Sequence, residues 1–211
     1  SSSTSWLDRA IVSKVTQLGT FDLGYRKVAW GYEESTLSTL FKASSSQLYT
    51  VERGITNRYW NEGENGRRLG FGAHHTGLHF SSPANPQGLE YGASLVNAAQ
   101  GRFSEGAGQN DVAIYANLAY NNKISDNEKY AVGVNYGRGK YYDATNNKNT
   151  STLMSGFNPF VQAQYFAWTF MGEMLSTTLD NVGAAAVKPV GYNAMVAYKI
   201  NDIWEGVVRY T

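Results

Sequence analysis

Seven basic side chains carry the chemistry that the sequence can offer a small solute: Lys27, Arg53, Arg58, Arg67, Arg68, Lys199 and Arg209. Arg presents a planar fork and Lys a point charge, and both suit phosphate or carboxylate groups. Fixed positive charge in a narrow, water-filled constriction with low-dielectric walls concentrates anions. Glu52, Glu173 and Glu205 supply the opposing sign. The expected work is selection among dissolved solutes, with no bond made or broken.

Covalent chemistry has little support. His74, His75 and His79 could suggest a metal site. On a strand, however, neighbours point to opposite faces, so His74 and His75 cannot chelate together. Glu33 and Glu34 have no glycosidase-like context. No Gly-x-Ser-x-Gly elbow or ordered nucleophile, base and acid stands out. Gly137-Arg138-Gly139 is not followed by a helix and is no nucleotide loop. No cofactor is expected.

The elements that must position these charges are strands. Val112, Ile114, Ala116, Leu118 and Tyr120 alternate with Asp111, Ala113, Tyr115, Asn117 and Ala119. After the turn-rich residues 121–127, Tyr130, Val132, Val134 and Tyr136 alternate with Ala131, Gly133 and Asn135, completing an antiparallel hairpin. The outward faces end in Tyr and carry aliphatics between, the distribution expected at two membrane interfaces and the hydrocarbon they enclose.

The same alternation recurs over Leu89–Leu95, Tyr192–Lys199 and Trp204–Tyr210, where parity places Lys199, Glu205 and Arg209 inward. Lys27 is assigned inward together with Tyr25. Less regular strands are expected at Leu7–Thr16, Thr20–Trp30, Arg68–Leu78, Asn158–Phe166 and Thr169–Leu179, about ten in all.

Short connections (17–19, 121–127) alternate with long polar ones (97–110, 137–155), as a barrel with short turns at one rim and long loops at the other requires. Residues 31–67 are too long for an idle connection. With Leu37, Leu40 and Phe41 at helical spacing, then Leu48, Val51 and Ile55, they predict a loop with an apolar side folded into the lumen as a constriction.

Composition agrees. The 211 residues include 22 Gly, 15 Tyr, 9 Phe and 5 Trp, no Cys, and 17% charged residues. No run of roughly 18 apolar residues exists, which excludes a spanning helix but not a barrel, where only alternate residues face lipid. The formal net charge of +1 argues against a nucleic-acid partner. Zero Cys excludes a disulfide framework and thiolate metal sites. Ser1 to Ser5 lack the pattern of a signal peptide, which implies removal or an internal start.

Several segments together resemble the phosphate-selective porin family (porins O and P). Gly24-Tyr25-Arg26-Lys27-Val28-Ala29-Trp30-Gly31-Tyr32-Glu33 is similar to that family's strand and loop entry, with Leu7–Val12 similar to the preceding strand. Ala29 stands where the family usually has proline, and Arg26 where an aromatic is common. Val51-Glu52-Arg53 and Gly66-Arg67-Arg68-Leu69-Gly70 resemble its constriction-loop motif and the next strand start. Leu89–Asn97 and Trp204–Thr211 resemble two later strands.

The resemblance implies a sixteen-stranded antiparallel transmembrane β-barrel, of which this chain supplies about ten strands as a single partial domain, 1–211. It further implies a homotrimer in the bacterial outer membrane, contacting lipid and passing small anions such as phosphate, or other small hydrophilic solutes, with no enzymatic step. Two rival expectations are a barrel that anchors or interacts with its lumen plugged, and a soluble β-rich binding domain.

Overall fold

The computed structural model describes residues 9–30, 74–97, 112–143, 148–180, 188, 190–201 and 203–210, with backbone alone at 74, 141–143 and 148–150. The described chain is all-β. Ten strands run β1 (Ala10–Thr16), β2 (Gly19–Lys27), β3 (His74–Ser81), β4 (Gly88–Val96), β5 (Ala113–Lys123), β6 (Glu128–Asp143), β7 (Lys148–Tyr165), β8 (Trp168–Asp180), β9 (Val190–Lys199) and β10 (Glu205–Tyr210). They form one sheet in which each strand pairs antiparallel with the next in sequence. Among the described residues no ladder joins β1 to β10, so the sheet is not closed.

A meander places successive connections at alternate ends. At one end β1–β2, β3–β4, β5–β6, β7–β8 and β9–β10 are joined by residues 17–18, 82–87, 124–127, 166–167 and 200–204. At the other end lie 28–73, 97–112, 144–147 and 181–189. The expected alternation of short and long connections therefore holds except at 137–155. There β6 continues to Asp143 and β7 begins at Lys148, with the ladder still paired at Asp143 and Lys148 after one irregularity between Lys140 and Tyr142. The polar, Asn-rich composition of that stretch suits a loop, but it equally suits a hairpin tip with water on both sides, and cross-strand hydrogen bonds extend the ladder.

The register separates two faces. Leu89–Tyr120, Tyr91–Leu118, Ala93–Ala116 and Leu95–Ile114 pair between β4 and β5. Leu118–Val134 and Tyr120–Val132 continue the face to β6, and Val132–Val161 and Tyr136–Phe157 carry it to β7. Phe170–Val196 and Val196–Val208 extend it across β8, β9 and β10. This face is apolar and exposed: Leu118 is 47% accessible and Val161 50%.

The opposite face is polar and largely buried. It holds Asp22, His75, His79, Asn135, Asn158, Glu173, Thr177 and Asn193 together with Tyr115, Met154, Phe160, Met171, Leu175 and Met195. A soluble sheet packed on one side buries its apolar face and wets its polar one. Here the assignment is inverted.

The turn end carries a collar of rings on the exposed face. Phe21 lies 4.9 Å from Phe80, which lies 5.9 Å from Tyr91. Trp168 packs 4.6 Å from Tyr198 and stacks 6.1 Å from Phe170. In the two-residue β7–β8 turn, Phe166 has φ of 49°, a left-handed conformation costly for a bulky residue. Its ring meets Tyr165 edge-on at 4.9 Å. Gly in this turn would relieve the backbone but remove a ring from the collar.

Candidate functional site

The polar face divides into a charged group on β1–β5 and an amide row on β6–β9. In the first, Asp22 is the hub. Ser13 Oγ donates to its Oδ1 at 2.6 Å, Arg26 Nη1 pairs with its Oδ2, and Arg9 Nη2 approaches the same oxygen at 3.8 Å. Asp22 and Arg26 share the face because they are four apart on one strand. The register sets Ser13 opposite Asp22. A buried carboxylate is tolerated when paired and hydrogen-bonded, and two guanidiniums on one carboxylate leave this corner net positive.

Asp22 also faces His79 across β2 and β3. His79 lies with Nδ1 2.9 Å from Ser94 Oγ and Nε2 3.3 Å from Gly24 O. A neutral ring satisfies both bonds if Nε2–H donates to the carbonyl and Ser94 donates to Nδ1. Gly24 has φ of 136°, where a side chain would be strained, and an added Cβ would collide with the Ala10 carbonyl. Serine, histidine and aspartate are thus brought together, but Asp22 is held by Ser13 and the arginines, and the histidine's second nitrogen meets a backbone carbonyl. This is not a triad geometry. Four residues up β3, His75 sits beside Tyr115, whose hydroxyl is 3.5 Å from its Nε2. The described residues hold no group of three or more metal-ligating side chains.

In the second group the register aligns Asn135 with Asn158 and Glu173 with Asn193. Asn135 Nδ2 donates to Asn158 Oδ1 at 2.8 Å, and Asn158 Nδ2 donates to Glu173 Oε2 and to the Met174 carbonyl, both at 3.0 Å. All four side chains are almost fully buried, Asn158 at 0%, Asn193 at 2% and Glu173 at 5%. Phe160, Met171 and Met195 form an apolar patch on the turn side of this row.

The sequence-derived charges fall as follows. Glu173 lies within the amide row. Lys199 and Glu205 pair across β9 and β10 and are exposed near the turn end. Arg209, half-buried, pairs with Met195 and its Nη2 donates to Met195 Sδ at 3.9 Å. All four lie on the expected face. Lys27 does not: the β2–β3 register puts it in step with Phe21, Leu23 and Tyr25 on the apolar side, and Arg26 takes the polar side opposite His75. Glu52, Arg53, Arg58, Arg67 and Arg68, with the whole predicted constriction loop 31–67, lie outside the described residues.

The entry to that loop is described. Val28 and Trp30, just past β2, are buried in one cluster with Val96, Ala113, Tyr115, Met154, Leu175 and Leu179, all inward residues of β4, β5, β7 and β8. The chain leaving β2 therefore sets out over the polar face.

Comparison with protein-family models, curated proteins and solved structures returned no match. The functional reading rests on the two faces themselves. Arg26, Arg9, Asn135, Asn158 and Asn193 were not singled out from sequence as site residues. For the asparagines the signal was an amide at inward parity within a strand, where a soluble core would carry an aliphatic; Arg9 precedes β1 and Arg26 was assigned the opposite parity.

Proposed function

We propose that this sheet is the wall of a bacterial outer-membrane β-barrel that acts as a water-filled diffusion channel for small hydrophilic solutes, with a mild preference for anions such as phosphate. The observation that carries the reading is the inversion of the two faces. Lipid can solvate the exposed Leu, Val and Ile positions, whereas an aqueous lumen suits Asp22, Arg26, His79 and the amide row.

Dimensions support it. Tyr130 and Tyr136 on β6, like Tyr192 and Tyr198 on β9, are exposed rings six residues apart. At roughly 3.4 Å per residue that spans about 20 Å, and the rings reach further, comparable with the ~25 Å apolar band of outer-membrane barrels. β5 to β9 each have at least ten residues, enough for a tilted crossing. A membrane admits no open sheet edge, so the reading requires β1 and β10 to be covered by further strands or by each other.

The anion preference draws on Arg9 and Arg26 at the charged corner and Arg209 on β10, with Arg53, Arg58, Arg67 and Arg68 expected from the loop; Lys27 leaves the pathway. The resemblance to the phosphate-selective porins adds the proposal of a homotrimer. A second reading, an anchoring barrel with a plugged lumen, is favoured by the apolar cluster around Trp30 on the inward face. Planar-bilayer recording of the purified protein separates the two. Discrete open-channel steps with a reversal potential displaced toward the anion are expected, and a silent bilayer despite verified insertion would leave the plugged barrel standing.

A further inference from the structure

The outward face of β6 is not apolar along its whole length. Past Tyr136 the strand continues with Arg138 and Lys140 at the same parity, and both are exposed. The register sets Arg138 between Ile114 on β5 and Ser155 on β7, with Thr178 of β8 next in the row. Among the described residues no carboxylate pairs with Arg138. Asp180 shares the row of Lys140, with Leu153 between them, so the group stays net positive. At the other end of the same strand the outward charge has the opposite sign, Glu128, which pairs with Tyr165. The arrangement recurs on β2, where Lys27 follows Tyr25 at the same interval, on the same face and at the same end of the sheet.

We propose that Arg138 and Lys140 form a docking site on the outer wall for the phosphorylated headgroup of a membrane lipid, in the leaflet at the end of the sheet where the long connections lie. The proposal rests on the membrane reading above. Position selects the occupant. Arg138 stands two residues beyond Tyr136, roughly 7 Å further along the strand, and aromatic rings mark the boundary of the hydrocarbon. The guanidinium is therefore at headgroup depth. Its planar fork can hold two phosphate oxygens at once, Lys140 adds a second cation, and half-buried Ser155 and Thr178 bring hydroxyls to the same row. On the belt side of the site Ile114, Tyr136 and Phe157 are exposed, an apolar surface for the acyl chains of the same molecule. A free anion would use the charges alone, whereas a lipid uses both parts. Lys27, displaced from the solute pathway, holds the equivalent place on β2.

The test is native mass spectrometry of the full chain in a neutral detergent, with phosphatidic acid as the probe. Diacylglycerol with the same chains and inorganic phosphate are the comparisons. Phosphatidic acid is expected to bind saturably and more tightly than either. Arg138→Gln is expected to weaken that binding about fivefold, the loss of one basic contact with an anionic lipid. Lys129→Gln, which removes one charge from the opposite face of the same strand, is expected to leave it unchanged. Should Arg138→Gln not refold, Lys140→Gln carries the same expectation. Equal binding of diacylglycerol would overturn the headgroup site, as would displacement of the lipid by inorganic phosphate at equal concentration, or equal losses in Arg138→Gln and Lys129→Gln. Flotation with vesicles checks the membrane reading separately. A chain that floats with lipid but does not prefer phosphatidic acid keeps the membrane wall and loses the site, and one that binds phosphatidic acid in detergent but does not float keeps the site and loses the channel.

Discussion

Asn117 and Leu118 are neighbours on β5, yet they belong to different solvents. Leu118 pairs with Tyr91 and Val134 on a face of exposed aliphatics, while Asn117 pairs with Gly92 and Asn135 at the near end of the amide row. The same contrast repeats along β7, where Val161 is exposed and Asn158 is buried. A fold that buries its amides and presents its valines cannot be explained by burial from water on one side alone. On the channel reading proposed above, hydrocarbon around the sheet is what makes that apolar exposure favourable.

The largest expected effect breaks the contrast at that pair. Leu118→Arg places a charge in mid-belt and is expected to cost about 2–4 kcal/mol of folding stability in bilayers. Asn117→Arg, one residue away, is expected to cost less than about 1 kcal/mol because it lies on the polar face. Equilibrium refolding into vesicles from urea measures both, and equal losses would erase the distinction between the faces.

Next comes the centre of the amide row. Asn158→Leu removes the bonds that Asn158 makes with the Asn135 amide, the Glu173 carboxylate and the Met174 carbonyl, with an expected loss of about 1–3 kcal/mol. The reference is Val161→Leu on the outer face of the same strand, which should be nearly neutral. Should Asn158→Leu prove neutral in the same refolding assay, the row is not a connected network.

Smaller still is the strained turn. Phe166→Gly is expected to gain about 1 kcal/mol of backbone energy in detergent, and to give back some of it in bilayers where the ring anchors at the interface. A detergent-to-bilayer difference of zero would deny the collar its interfacial role.

The smallest effect lies outside the belt. In the β5–β6 turn, Lys123 Nζ sits 2.5 Å from Asp126 Oδ1. Hydrogen bonding and charge from Lys123 lower the Asp126 pKa below its ordinary 3.8. The pair's contribution is therefore present above 3.8 and is lost as pH falls through the depressed value. Carboxyl NMR titration is expected to show a midpoint below 3.8 that returns toward it in Lys123→Met.

Much of this was legible in the sequence because a sheet with one apolar and one polar face enforces alternation on both. β5 and β9 read cleanly for that reason, and ten strands were expected and found. Legibility failed where one of the two constraints lapses. Beyond Tyr136, Gly137–Lys140 are glycine or charged at successive positions, so no apolar period marks the extended β6–β7 hairpin. Near Lys27 the parity was anchored on Tyr25 as an inward residue; Phe21, Leu23 and the pairing with β3 put Tyr25 and Lys27 on the other side and Arg26 in the site. Glu173 was visible as a charge, but the asparagines aligned with it come from three other strands, and only register brings them together.

Single-cysteine labelling at positions 117 and 118 tests the central claim most directly, since the chain has no native cysteine. With a spin label at each site in lipid vesicles, collision with oxygen, which concentrates in hydrocarbon, is predicted to dominate at 118. Collision with a water-soluble nickel chelate is predicted to dominate at 117. Chelate accessibility that is high and equal at both positions would contradict the account, because both faces would then be in water.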